Sequence, residues 1–416
     1  MNYLKGKQIE RKEDKTLKGY SFIYFGPEKW EGLWRNRHQL MSRFSKFNKV
    51  LYVEPRSGLK GTRRKLKNRE INLRTFWQNF KNDRYKQVKN NLYIYNDPVF
   101  LPFSGRPLLD GISQFLWCTI LKLNMKKIGF KKPIIWLSRP QMVDLIGKFN
   151  EKVAIYHIVD EYSAYSGVDE IQQVKLKEIE KRILNKADIV IVVSINLFLS
   201  KKPFNKCTYL VPNAVDYQEY SKALFSADQL PEDIARLAKP IIGYSGRIGA
   251  KLDLDLLYHI AKLHPEWSLV FIGVIDERHC GNKINRLKCL KNVYFLGFKA
   301  ISELAQYVKA FDVCILPYLI NEHSKNISPL KLYDYMAVGK PIVATDTPSA
   351  HMFKDVIRIA ASKEGFVRQV EEAMRENSPN LSNKRRQIAS QNTWEKRVRQ
   401  ISELIQRHLQ SGGSEK

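Results

Sequence analysis

Asn326-Ile-Ser-Pro-Leu-Lys-Leu-Tyr-Asp-Tyr-Met-Ala-Val-Gly-Lys-Pro-Ile-Val-Ala-Thr-Asp-Thr347 reads as loop, helix, tight turn and buried strand gathered around one polar site. Ser328 and Pro329 are a good N-cap and first-turn pair, so the free N–H groups of the helix that follows would face an anion. Lys331 adds a full positive charge. Asp334 lies six residues after Ser328, far enough along the helix to accept two hydroxyl hydrogen bonds from the ribose of a nucleotide whose phosphates sit at the helix start. Gly339 then ends the helix and Pro341-Ile-Val-Ala-Thr345 enters a sheet.

Working outward, short apolar runs of strand length recur at 20–25, 49–53, 91–95, 133–137, 153–157, 188–193 and 207–211, with helical patterns at 33–47, 106–128, 140–148 and 169–186. A second series follows, with strands near 240–246, 268–272, 292–296, 312–317, 341–345 and 356–360 and helices near 253–264, 302–310, 329–338 and 363–377. Such alternation predicts two α/β, doubly wound, Rossmann-like domains. The expected divisions are a basic lead at 1–18, a first domain at 19–216, a polar connection at 217–239, a second domain at 240–392, a last helix at 393–410 and a disordered tail at 411–416. A length of 416 residues suits two domains of ordinary size.

The central segment resembles the nucleotide-sugar signature of GT-B glycosyltransferases, in particular the bacterial group 1, family 4-like enzymes of cell-envelope and exopolysaccharide synthesis. Three further stretches share the resemblance: Val211-Pro-Asn-Ala-Val-Asp216, with Ala214 where the family usually has Gly, Ile242-Gly-Tyr-Ser-Gly-Arg-Ile248, and Phe311-Asp-Val-Cys-Ile-Leu-Pro317. It covers roughly residues 19–410. It implies two domains facing across a cleft, a C-terminal helix crossing back to the first domain, and transfer of a hexose-type sugar from a nucleoside diphosphate of the UDP or GDP class to a glycan or lipid-linked acceptor. It further implies donor contacts at Gly246, Arg247, Asn326, Ser328, Pro329, Leu330, Lys331 and Asp334. The nucleotide base is expected near Gly297-Phe298-Lys299, which follows a strand.

Two departures bear on mechanism. The family's paired glutamates fall here on Asn326 and Asp334, and loss of the first carboxylate leaves retaining stereochemistry open and admits an inverting route. A catalytically weak partner subunit is the corresponding alternative. Ligands of open α/β sheets bind at the carboxyl ends of strands, which nominates Asp160 as general base on the acceptor hydroxyl, with Glu161 as substitute. Arg37, His38 and Arg139 are acceptor-side candidates, and Glu322 and His323 precede the phosphate helix. Two cations and a helix start can stabilise a departing diphosphate without a metal, and no cofactor is expected. The triplet Asp253-Leu254-Asp255 reads as a helix cap, and Gly243, Gly246 and Gly249 do not have the dinucleotide spacing.

Net charge is +28, and residues 1–150 hold 32 Lys and Arg against 11 Asp and Glu. Basic runs at 60–69, 81–89 and 122–132, with Trp77, Phe80, Phe100, Phe103, Phe115 and Trp117 near them, fit a first domain docked on an anionic membrane surface. A nucleic-acid-binding protein is the other reading of the charge, but RNA-recognition and zinc-finger patterns are absent, so nucleic acid is not expected. No run of about 18 uncharged apolar residues occurs, and the start lacks an apolar signal region. The expectation is a cytoplasmic protein peripheral to the inner face of the membrane. Cys118, Cys207, Cys280, Cys289 and Cys314 show no paired spacing, so neither disulfides nor a zinc site is expected.

Overall fold

Runs such as Ile134–Leu137 and Ile189–Val192 are apolar on both faces, and each becomes a strand with every residue buried. The computed structural model describes residues 16–56, 84–96, 107–162, 169–226, 229–376 and 378–412. Eight strands form the first sheet: Ser21–Phe25 (β1), Lys49–Val53 (β2), Tyr85–Lys89 (β3), Leu92–Tyr95 (β4), Ile134–Leu137 (β5), Val153–Ile158 (β6), Ile189–Val192 (β7) and Thr208–Leu210 (β8). Their order is β3-β4-β2-β1-β5-β6-β7-β8, parallel except for the β3–β4 hairpin. The second sheet holds Ile241–Ser245 (β9), Ser268–Ile272 (β10), Val293–Phe295 (β11), Val313–Leu316 (β12), Ile342–Thr345 (β13) and Arg358–Ala360 (β14), in the order β11-β10-β9-β12-β13-β14 and all parallel.

Each sheet is wound outward from its first strand, so the chain changes direction between β1 and β5 and again between β9 and β12. These switch points are where strand-end loops splay apart and admit a ligand. This is the doubly wound pair of domains that the sequence predicts. The last helix, Trp394–Gln410, crosses back: Trp394, Val398, Ile401 and Ile405 belong to the first domain's core with Phe44 and Trp136. Val215 forms a parallel bridge to Thr393, donating its N–H to the Asn392 carbonyl at 3.1 Å while accepting from Trp394 N–H at 3.3 Å. The two chain crossings therefore lie side by side.

Several local expectations change. Residues 217–239, read as a polar connection, carry the helices Tyr217–Phe225 and Glu232–Ala235, whose Tyr220, Ala223 and Ile234 enter the second domain's core. The 140–148 helix is a short 3-10 segment, Pro140–Leu145. Trp117, expected at a membrane interface, is buried against Phe25 in the first core, whereas Phe115 is exposed. The basic run at 60–69 and Trp77, Phe80, Phe100 and Phe103 lie outside the described residues. Among the described residues no helix is long and apolar enough to cross a membrane.

Candidate active site between the two sheets

The candidate donor side is built on the helix Leu330–Val338. Its left-handed C-cap Gly339 (φ 78°) donates to the Met336 and Tyr335 carbonyls, as the sequence predicts. Its start differs from expectation: Pro329 (ψ 121°) is the N-cap residue, and Ser328 lies one position earlier. The Ser328 carbonyl accepts from Asn213 Nδ2 at 2.6 Å and its side chain meets the Tyr333 hydroxyl, so the Ser328 hydroxyl does not cap the helix. One turn inside, Tyr335 Oη accepts the Ser245 N–H at 2.9 Å, fixing the helix to the end of β9. Gly246 follows with φ 135°, and a Cβ there would collide with Lys331 Cε and Nζ. The lysine thus passes directly over the glycine, its Nζ 5.3 Å from the centroid of the Tyr244 ring.

Burial pushes the Lys331 ammonium down to about 8, although Asp334 opposes the shift. Burial likewise raises Asp334 to about 7, with Lys331 and the Tyr220 hydroxyl pulling it back. Both side chains keep partial contact with solvent. Asn326 is held locally: it C-caps the short helix Glu322–Lys325 and its Nδ2 donates to the Glu322 carbonyl at 2.8 Å. Arg247 is half exposed, with Nη1 3.4 Å from Asp276 Oδ2. Phe298 lies exposed after β11, following Gly297 in a left-handed conformation. A narrow crevice bounded by Val193, Ile195, Ile327, Met352 and Phe353 shares only Ser328, Pro329 and their neighbours with these residues and lies beside the donor helix.

On the first domain, the loop after β1 carries Glu28, which pairs with Arg37 at 3.0 Å and Arg35 at 3.6 Å. Against the opposing effect of burial, these guanidiniums hold Glu28 below the usual carboxylate range. His38 does not reach the cleft. Its Nδ1 accepts the Arg35 N–H at 2.9 Å and its Nε2 faces the Trp30 carbonyl at 2.8 Å, and burial takes its pKa down to about 4. It is a neutral structural ring. Arg139 stacks over Tyr162 at 4.4 Å, and Tyr162 Oη donates to the Ser138 carbonyl at 2.7 Å.

Asp160 and Glu161 separate completely. Glu161 binds Lys201 Nζ at 2.8 Å, and the same ammonium binds Glu180 at 2.7 Å, beneath Tyr156 in the first domain's core. Glu161 is therefore an anchoring residue, which removes it as a substitute for Asp160. Asp160 instead faces the second domain, 3.6 Å from Lys251 Nζ and 3.8 Å from His323 Nε2. Burial and Lys251 lower the His323 pKa while Asp160 opposes them. Arg35 lies within electrostatic reach of Arg247, Asp160 and Lys331. Lys251 is a cleft residue that the sequence reading did not single out, whereas Arg35 stands in the loop after β1 that the reading placed at the cleft. The signal for Lys251 was its place in the loop after β9, a strand that opens a switch point. Asn196 Nδ2 adds a further bridge, donating to the Lys325 carbonyl at 2.9 Å. Among the described residues no group of three His, Cys, Asp or Glu is disposed to hold a metal ion.

Two facing doubly wound domains, a C-terminal helix returning to the first, and a basic helix start at the second switch point define the GT-B fold. Residues 239–376 match the family described as Glycosyl transferases group 1. It is 27% identical over 336 residues to the putative teichuronic acid biosynthesis glycosyltransferase TuaH of Bacillus subtilis strain 168, covering 76% of this chain and 79% of that protein. Sucrose-phosphate synthase from Thermosynechococcus elongatus superposes with a TM-score of 0.67 at 17% identity, over 94% of this chain and all of the other. HepE from Anabaena in complex with UDP-glucose gives 0.63 at 12% identity, over 94% and 99%. At these identities the structural matches speak to fold alone.

Proposed function

We propose that this protein transfers a hexose-type sugar from a nucleoside-diphosphate donor, of the UDP or GDP class, to a lipid-linked or membrane-proximal glycan in envelope polysaccharide synthesis. The observation that carries the reading is the opposition of Lys331, packed over Gly246 at the donor helix, to Asp160, presented from the other domain towards Lys251 and His323. Lys331, Arg247 and the helix start receive the diphosphate, and stabilising the leaving group with fixed cations needs no metal ion. Asp334 takes the ribose hydroxyls. Asp160 acts as general base on the acceptor hydroxyl in an inverting displacement, for which it needs only to lie one hydrogen bond from that hydroxyl. The teichuronic acid relative supports an envelope glycan as acceptor, and the UDP-glucose complex of HepE supports a uridine nucleotide as the first donor to test.

The test is a thermal-shift series with UDP-, GDP-, dTDP- and ADP-sugars, followed by transfer assays with the donor that binds. One nucleotide class should raise the melting midpoint, Lys331→Met should reduce that rise, and Asp160→Asn should keep it while abolishing turnover. Absence of a rise with every nucleotide, or full turnover by Asp160→Asn, would sink the assignment.

A further inference from the structure

The helix Pro107–Lys127 is apolar on two faces. One stripe, Trp117, Leu121 and Met125, is buried in the first domain's core. The other, Leu108, Ile112, Phe115 and Leu123, recurs at intervals of four, three and eight residues and so lies along one line of the helix. It is exposed by 86%, 59%, 70% and 59% respectively. An apolar stripe of this kind, interrupted by the exposed Thr119, marks an interaction surface rather than a scatter of single residues. At 100° per residue, Lys122 and Lys127 flank the stripe and Lys126 continues it, so the outward face is apolar for its first turns and basic at its end.

The orientation of the helix follows from two contacts. Lys49, at the start of β2, donates from Nζ to the Ile128 carbonyl at 3.0 Å, just beyond the helix end. Arg56, three residues after β2 ends, donates to Gln114 Oε1 at 2.5 Å and Ser113 Oγ at 2.6 Å and lies over the Trp117 ring. The helix thus runs antiparallel to β2, with its apolar half at the carboxyl ends of the strands. That is the cleft end of the domain.

We propose that this outward face seats the first domain on an anionic lipid bilayer, the apolar half entering the interface at the cleft rim and Lys122, Lys126 and Lys127 meeting lipid phosphates. Charge complementarity selects the occupant: an apolar stripe bordered by cations suits a surface that is apolar beneath and negative above. The lysine stems can lie along the acyl boundary while their ammonium groups reach the headgroups. The proposal rests on the membrane-proximal acceptor of the proposed function, because a bilayer at the cleft rim delivers a lipid-linked glycan to Asp160 without lifting it from the membrane.

Full-length protein is sedimented with phosphatidylcholine vesicles with and without phosphatidylglycerol, beside Ile112→Asp/Phe115→Asp and Lys122→Glu/Lys126→Glu. Both pairs are surface changes, and circular dichroism with thermal melting checks that they fold. Wild type should partition onto the anionic vesicles, and the apolar pair should lower partitioning by at least about tenfold. The lysine pair should lower it by an amount that grows as salt is reduced, about fivefold per charge removed at low salt. Undiminished vesicle binding by the folded Ile112→Asp/Phe115→Asp protein overturns the assignment of this face, as does failure of wild type to bind anionic vesicles. A wild-type dimer that the apolar pair converts to monomer, with no vesicle binding by either, assigns the face to a second copy instead. Nucleotide-induced thermal shifts report separately on the transferase reading: their loss in wild type with vesicle binding intact would refute that function and leave the surface standing.

Discussion

Affinity for a sugar nucleotide should follow a bell-shaped pH profile governed by Lys331 and Asp334. In the free protein burial holds Lys331 at about 8, against an ordinary 10.5, and a diphosphate beside it restores the higher value. Binding then takes up a proton once the free lysine has lost it, so affinity is complete below about pH 8 and falls as pH rises through that value. With the bound form charged throughout, the charged fraction of free Lys331 drops roughly 20- to 30-fold between about pH 7.5 and about pH 9.5, equivalent to about 2 kcal/mol. Asp334, raised to about 7, supplies the acid limb with the opposite sign: in its proposed role as acceptor of the ribose hydroxyls it must be ionised, so affinity should climb as pH rises through about 7. Because the two groups interact, the limbs belong to the pair. Isothermal titration with a UDP-sugar at constant ionic strength measures the profile, the sugar ester removing the titratable terminal phosphate of free UDP. Lys331→Met should flatten the alkaline limb and Asp334→Asn the acid limb. An alkaline limb that survives in Lys331→Met would refute the reasoning.

Gly246→Ala should displace Lys331 and strain a backbone with φ 135°, lowering nucleotide affinity by about tenfold or more while circular dichroism remains unchanged. Arg385 is almost completely buried, bonded to Glu376 at 2.6 and 3.0 Å and to the Val356 carbonyl at 2.7 Å. Glu376→Ala, by leaving that guanidinium unpaired, should cost about 3–5 kcal/mol in urea unfolding. Lys201→Met leaves Glu161 and Glu180 buried without their cation. Their folded pKa values then lie above the unfolded ones, so the stability lost near pH 8 should be partly recovered near pH 5, and equal denaturation midpoints at the two pH values would contradict this.

The strands were legible because their residues are apolar on both faces, as in Ile134–Leu137, and need no partner to be recognised. Edge strand β3 was missed because Tyr-Lys-Gln-Val-Lys is largely exposed and resembles a charged loop. The helix Tyr217–Phe225 was hidden by its polar flanks, and its place depends on Tyr220 packing into a distant core. The Lys331–Gly246 neighbourhood was readable as a type of site, since a lysine in a first turn and a glycine after a strand have local reasons. The Ser328 cap failed because Asn213 and Tyr333, remote in sequence, take its carbonyl and side chain. The division of labour between Asp160 and Glu161 had no local signal. It is decided by Lys201, some 40 residues away, which draws one carboxylate inward.

The paired chain crossings at Val215 and Thr393 act as the spine of a book. Both connections between the domains run along one line, tied by backbone hydrogen bonds and by Arg43, which grips Asp216 at 2.7 Å and Glu395 at 2.6 Å. Such a spine would let the pages turn rather than slide, a motion that would carry Asp160 to and from Lys251 and His323 along an arc. On the proposed function, a small rotation at Val215 would open the fore-edge to a nucleotide by parting contacts at the outer margin, with both sheets left whole.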